Sequence, residues 1–254
     1  MILAIDVGNT NIVIGGMDHD QVLFTERLST DKVKTSLEYA ILFRVALELH
    51  KINPEDVEGS IISSVVPPIT PVIRTALKKI TGKKSIVLGP GTKTGLSIRI
   101  DDPSSVGADL VAGAAGALAK YEAPLVVIDM GTATTLSVVD REKHYIGGAI
   151  MPGLRLSLNS LVSETSMLHG ISLDLPKQAI GHNTVDAMRS GIVLGHAAMI
   201  DGLLDRMEEE MGGKMTVIAT GGLASSVIPV CRHEILLDKT LLLTGLLEIY
   251  KKNC

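Results

Sequence analysis

Short apolar runs alternate with longer segments in which apolar residues recur every three or four positions, a pattern of strands mixed with helices. Met1–Ile5 and Asn11–Gly16 read as a hairpin of buried strands, with Val22–Ser29 as a third strand. In Ser36–His50 the residues Leu37, Ile41, Val45 and Leu49 form a helical stripe. Gly59–Val66 is an apolar strand halted by Pro67 and Pro68. Pro71–Ile80 follows as a helix with proline in its first turn, and Ser85–Leu88 as a short strand. Gly89–Gly107 reads as loop, and Ala108–Lys120 as an alanine-rich helix. Leu125–Val139 is a strand, a turn and a strand, with Tyr145–Met151 as the next strand. Gly153–Leu161 and Thr184–Met211 are helices, the second with Met188, Ile192, Gly195, Met199 and Leu203 along one face. Met215–Ala219 is a buried strand ending in Thr220-Gly221-Gly222, and Leu241–Lys251 is a closing helix.

The pattern occurs twice. Ile5-Asp6-Val7-Gly8-Asn9-Thr10 and Ile128-Asp129-Met130-Gly131-Thr132 each end an apolar run in Asp, one residue and Gly, and a second apolar run follows. Each half runs hairpin plus strand, helix, strand, helix: an α/β unit with a mixed sheet, duplicated at an offset of about 120 residues. The expected division is 1–119 and 120–254, at the point where Tyr121-Glu122-Ala123-Pro124 breaks a helix.

Composition narrows the class. Apolar residues make up 46% of the 254 positions but aromatics only 2%, so Val, Ile, Leu, Ala and Met must build the core. A net charge of −4 without a basic run argues against a nucleic-acid backbone as the partner. The scarcity of aromatics removes the stacking platforms of single-strand binders. Cys231 and Cys254 form no metal knuckle and read as free thiols of a reducing cytoplasm. Asp6 interrupts the first apolar run, so no export signal is expected, and no uncharged run reaches the roughly 20 residues needed to span a bilayer.

Candidate chemistry gathers at the two turns. A glycine two residues after Asp6 permits positive φ and close approach of a ligand. Asn9, Thr10 and Asn11 offer amide and hydroxyl groups suited to phosphate oxygens. Asp6 repels phosphate itself but can hold Mg²⁺, directly or through water; the plain alternative is an Asp-Gly hairpin turn. Asp129 is a second cation candidate, or a carboxylate capping its own turn. Asp109 opens the alanine-rich helix, where it can cap free N–H groups or serve as a general base. Gly221 and Gly222 can let a nucleoside lie flat on the backbone, or make an ordinary turn, and Gly147–Gly153 can shape a pocket loop. His182 precedes a helix start that Asn183 or Thr184 can cap, and His196 reads as packing or solvated. There is no HExxH, Walker or GxSxG motif.

These pieces together resemble type III pantothenate kinases, of the acetate kinase, sugar kinase, Hsp70 and actin superfamily. The resemblance is carried by Asp6–Asn11, Ser63–Pro68, Val106–Asp109, Asp129–Thr135 and Gly147–Gly153, then by Asn183-Thr184, Ser190-Gly191, Thr220–Gly222 and Leu243–Leu246. It implies a duplicated actin-like (ribonuclease H-like) fold, two mixed-sheet α/β halves with a cleft between them. It also implies transfer of the ATP γ-phosphoryl to pantothenate, the first step toward coenzyme A. By position, Asp6, Val7, Gly8, Asn9, Thr10, Asn11, Ile12 and Val13 line the ATP phosphates, with Mg²⁺ near Asp6. Thr132 is a further ATP contact, and Gly221 and Gly222 belong to the nucleotide side. Asp109 matches the proton acceptor, and Asp129 the ligand of a monovalent cation, K⁺ or NH₄⁺. Ile100, Gly107, Ala108, Asp109, Leu110 and Thr184 match pantothenate-binding positions. The family is a cytoplasmic homodimer in which Thr184 reaches the site from the neighbouring subunit.

Three acceptor-side positions depart from the family's usual residues: Leu110 and His182 replace Arg, and Ile100 replaces Tyr. An Arg fork binds a carboxylate and Leu does not, so Arg99 in the same loop is the alternative cation. The departures keep two other readings open, a non-catalytic regulator of the Bvg accessory factor type and a kinase for a related small alcohol.

Overall fold

A computed structural model describes residues 1–19 and 21–254. The chain divides into two compact units, one of Met1–Leu96, Asp101–Lys120 and Thr240–Cys254, the other of Ser97–Ile100 and Tyr121–Lys239.

Along the first unit run β1 (Ile2–Val7), β2 (Asn11–Asp18), β3 (Gln21–Ser29), α1 (Ser36–Leu49), β4 (Gly59–Ser64), α2 (Thr70–Thr81), β5 (Ser85–Val87) and α3 (Ala108–Lys120). The sheet order among the described residues is β3-β2-β1-β4-β5. β1, β2 and β3 pair antiparallel; β4 pairs parallel with β1, and β5 with β4. Alternation sorts the two faces. Leu3, Ile5, Val7 and Ile62 share a core with α1 and α2. Ala4, Asp6, Ile61 and Ser63 therefore look the other way, toward α3 and the closing helix Leu241–Lys251, which packs on β1, β2 and β4.

Two sequence expectations change here. The stripe Leu37, Ile41, Val45, Leu49 is exposed, and α1 instead buries Tyr39, Ala40, Phe43, Ala46 and Leu47. Aromatic side chains bring the larger area per residue, and burying one is worth roughly 1.5–3 kcal/mol, so the Tyr39–Phe43 face wins. Tyr39 adds a fixed end: its hydroxyl donates to the Asp31 carbonyl at 2.7 Å and accepts from the Asp31 N–H at 3.0 Å. The second change is the closing helix, expected in the second half but packed in the first unit against α3. Glycine makes this packing close. A Cβ on Gly245 would run into the Ala112 carbonyl oxygen, and one on Gly116 into that of Leu241.

The second unit holds β6 (Ser97–Ile98), β7 (Leu125–Met130), β8 (Ala133–Val139), β9 (His144–Pro152), α4 (Leu154–Glu164), α5 (Thr184–Arg189), α6 (Gly195–Met211), β10 (Thr216–Thr220), α7 (Ala224–Val227) and β11 (Leu236–Leu237). Its sheet order is β6-β9-β8-β7-β10-β11 among the described residues. Without β6 this repeats the first sheet strand for strand, with the same antiparallel hairpins and the same parallel pairing of the fourth strand on the first. The fold is a duplicated actin-like fold.

The expected Thr184–Met211 helix is interrupted by a π-turn, Ser190–Leu194. Its wider turn shifts the buried face one residue along. Ile192, His196, Ile200 and Leu204 point inward, while Met199 is exposed. That shift is why His196 is in the core.

Candidate active site

In the first unit, β1 ends at Asp6-Val7 and the turn Gly8-Asn9-Thr10 leads into β2. The Gly8 N–H donates to the Asn11 carbonyl at 2.9 Å, and Thr30 clamps the turn from β3's end with its hydroxyl on the Gly8 carbonyl at 2.6 Å. Gly8 does not take positive φ as expected. It is needed because a Cβ would crowd the Asn11 carbonyl oxygen at 3.1 Å. Val7 and Ile12 are fully buried in the core, so they offer a ligand only backbone. Asn9 and Thr10 are exposed, and Asp6, Gly8, Asn11 and Val13 are half-buried.

The same unit brings the Asp109 loop to this turn through Val65. The Val65 N–H donates to the Val7 carbonyl at 3.0 Å, and a Cβ on Gly107 would lie 3.7 Å from the Val65 side chain and clash with the Asp109 carboxylate. Asp109 sits in the first turn of α3, half-buried like Gly107, Ala108 and Leu110. Burial pushes its carboxyl above the usual carboxylate range; the Leu110 N–H, donating to Oδ1 at 2.8 Å, pulls the other way and is outweighed.

In the second unit, the Asp129 turn is one residue tighter. Its last cross-strand pair is Met130↔Thr134, against Val7↔Ile12 in the first, and the Gly131 N–H donates to the Ala133 carbonyl at 3.0 Å. Two glycines press on it. The Gly153 N–H donates to the Thr132 carbonyl at 3.1 Å, and a Cβ on Gly153 would strike that oxygen. Gly221, at φ +97°, lies where a Cβ would be 2.6 Å from the Met130 backbone. Positive φ thus belongs to Gly221, while Gly131, like Gly8, lacks it. Thr132 and Gly222 are exposed, and Asp129 is half-buried between its register neighbours Thr135 and Thr220.

Thr184 opens α5, whose N-terminus Asn183 caps by accepting from the Asp186 N–H at 2.9 Å. It lines a cleft of about 1170 Å³ with His182, Leu156, Met188 and His196. His196 joins this cleft to the Asp129 turn: its Nε2 lies 2.8 Å from the Thr134 hydroxyl, and both residues are buried. Burial holds the imidazole below its usual pKa and hence neutral. The pair leaves no signal in the sequence, because the π-turn that aims His196 inward has no pattern of residues. Thr134→Val is expected to cost about 1–3 kcal/mol of unfolding free energy, measured by urea denaturation, since it strands a buried imidazole nitrogen. Ile100 follows β6 at the outer β6–β9 edge of the second unit, beside Gly147. Asp140, Glu142 and His144 come within reach of one cation, but Asp140 already accepts from the His144 N–H at 2.7 Å and meets its ring at 3.0 Å, a clamp on the β8–β9 turn.

A duplicated actin-like fold with an oxygen-rich turn at the head of each sheet defines the structural class of this protein, and its relatives define the family. The profile of type III pantothenate kinases matches residues 2–206. The type III pantothenate kinase of Exiguobacterium sibiricum is 43% identical over 253 residues, covering 100% of both chains. That of another Exiguobacterium species is also 43% identical, over 100% of this chain and 99% of its own. Among solved structures, a Baf family protein from Campylobacter jejuni superposes with a TM-score of 0.61 at 20% identity, covering 99% of this chain and 98% of its own. Component A of (R)-2-hydroxyglutaryl-CoA dehydratase from Acidaminococcus fermentans gives 0.57 at 17% identity, covering 98% and 96%. The chain belongs to the type III pantothenate kinase family.

Proposed function

We propose that this protein transfers the γ-phosphoryl group of ATP to the primary hydroxyl of pantothenate, giving 4′-phosphopantothenate. The observation that carries this reading is that Val65 links, within one unit, an oxygen- and amide-lined turn to the loop of a carboxyl whose proton affinity burial raises. Phosphoryl transfer asks for positioning and charge neutralisation, and for a group that takes the alcohol's proton. Asp109 takes that proton. The Asp6–Val13 turn binds the phosphates through backbone N–H groups and the side chains of Asn9, Thr10 and Asn11. Thr132 is a further ATP contact, and Gly221 and Gly222 leave flat backbone for the nucleoside.

The donors at both aspartates are oxygens, which suits hard cations: Mg²⁺ by Asp6, and K⁺ or NH₄⁺ by Asp129. Bound there, the cations neutralise triphosphate charge. Gly107, Ala108, Leu110, Ile100 and Thr184 serve the acceptor. Thr184 does so in a homodimer, a reading supported by exposed Leu156, Ile180, Val185 and Met199 on its unit. The reducing cytoplasm suits the free Cys231 and Cys254; burial pushes the Cys231 thiol up to about 12 and keeps it unreactive. Among the described residues no helix is long and apolar enough to cross a membrane.

The test is ADP release with ATP, Mg²⁺ and K⁺, with and without pantothenate. Release that depends on pantothenate is the expected result. Turnover only with another small alcohol would move the assignment to that acceptor, and nucleotide binding without turnover would make the protein a regulator.

A further inference from the structure

Strand β4 carries three serines with different fates. Ser60 donates to Ser85 Oγ at 2.7 Å. Ser64 accepts from the Thr70 hydroxyl at 2.7 Å and from the Val66 N–H at 3.2 Å. Ser63 is 0% exposed, and its hydroxyl has no partner. A buried hydroxyl without a hydrogen bond is a cost that folding alone gives no reason to keep, since Ala would fill the same place.

Its position supplies a reason. In the parallel β1–β4 ladder Ser63 is the register partner of Asp6, so both side chains leave the same face of the sheet, side by side. On the other flank the register partner of Asp6 is Val13. The second unit repeats the relation. The other buried side-chain oxygen without a partner, among the described residues, is Thr135 Oγ1, and Thr135 is the register partner of Asp129. Both orphaned hydroxyls thus stand beside the two turn aspartates, one in each copy of the fold.

We propose that Ser63 is a positioning residue for Asp6: when Mg²⁺ and the nucleotide phosphates bind, its hydroxyl donates to one carboxylate oxygen of Asp6 and leaves the other turned to the hydrated metal. This rests on the reading that Asp6 serves the metal–triphosphate. The bond forms in the loaded state, which is why the hydroxyl is kept although the fold leaves it unpaired. The pairing is also selective. A nucleotide without metal makes no demand on the orientation of Asp6.

The experiment is calorimetric titration of wild type and Ser63→Ala with ADP, with and without Mg²⁺, alongside melting of each protein without nucleotide. The variant is expected to melt at or above the wild-type temperature, because it loses an unsatisfied hydroxyl. Its affinity for Mg²⁺·ADP should fall about tenfold, as for a lost hydrogen bond to a charged group, and its affinity for metal-free ADP should hold. Equal Mg²⁺·ADP affinities in the two proteins would overturn the proposal and leave the kinase reading standing. So would equal weakening with and without Mg²⁺, or a melting temperature several degrees lower, either of which makes Ser63 a packing residue. A wild type that binds no Mg²⁺·ADP would remove the kinase reading, and this inference with it.

Discussion

Asp109→Asn should bind nucleotide as the wild type does and turn over at least ~100-fold more slowly, the usual scale for losing a general base. Asparagine keeps the shape and the acceptor for the Leu110 N–H but cannot take a proton. The pH dependence sharpens the expectation. Burial raises the Asp109 carboxyl, so the acidic limb of kcat/KM should lie above the ordinary carboxylate range and disappear in the variant. Stability should move oppositely. The folded state holds the Asp109 proton more tightly than the unfolded chain, so this contribution is fully present below the unfolded pKa and is lost as pH rises through the raised folded one. Near neutrality the wild type carries the cost of a buried charge that Asn lacks. The variant should therefore melt higher at pH 7, with the gap closing in acid. Near-normal turnover in Asp109→Asn would remove Asp109 from the base role.

Gly245→Ala should cost about 3 kcal/mol of unfolding free energy in urea, at the upper end for overpacking. The added methyl meets the Ala112 carbonyl oxygen, a backbone atom that cannot swing aside. The closing helix must then ride off α3, which carries Asp109 in its first turn, so turnover should fall along with stability. Gly116→Ala strikes the same interface from the other helix, against the Leu241 carbonyl. The two losses should be less than additive, because the first substitution already opens the gap. A Gly245→Ala protein as stable as wild type would mean that these helices pack less tightly than the glycines indicate.

The duplicated sheet was legible because strand alternation and the two Asp-x-Gly turns are local signals. Most elements fall within a few residues of their expected bounds. What was hidden depends on competition or on distance. The aliphatic stripe Leu37–Leu49 is a proper helical pattern, but Tyr39 and Phe43 offer the sheet more area. The π-turn at Ser190–Leu194 leaves no compositional trace, yet it moves the buried face by one residue and puts His196 against Thr134. Asp6, Asp109 and Asp129 could be picked out as carboxylates at turns and a helix start. Ser63 could not be given a role, because only the register of β1 on β4 shows that it stands beside Asp6. Gly8 is expected to be there for positive φ. At Gly8 and Gly153 the real constraint is a neighbouring carbonyl, which only the folded backbone reveals.

The closing helix sets an order for biosynthesis. The ribosome makes the strands of the first sheet early, but the helix that covers their Asp6 face emerges only after Tyr121–Lys239. At ordinary translation speeds that delay is on the order of ten seconds. Ile2, Ala4 and Ile61, all buried in the finished protein, wait through it without their cover. The inserted second unit has its whole sequence available first and can fold while the first remains open. The nascent chain thus has a defined interval of exposed apolar surface, the kind of surface that makes an unfinished chain prone to aggregate.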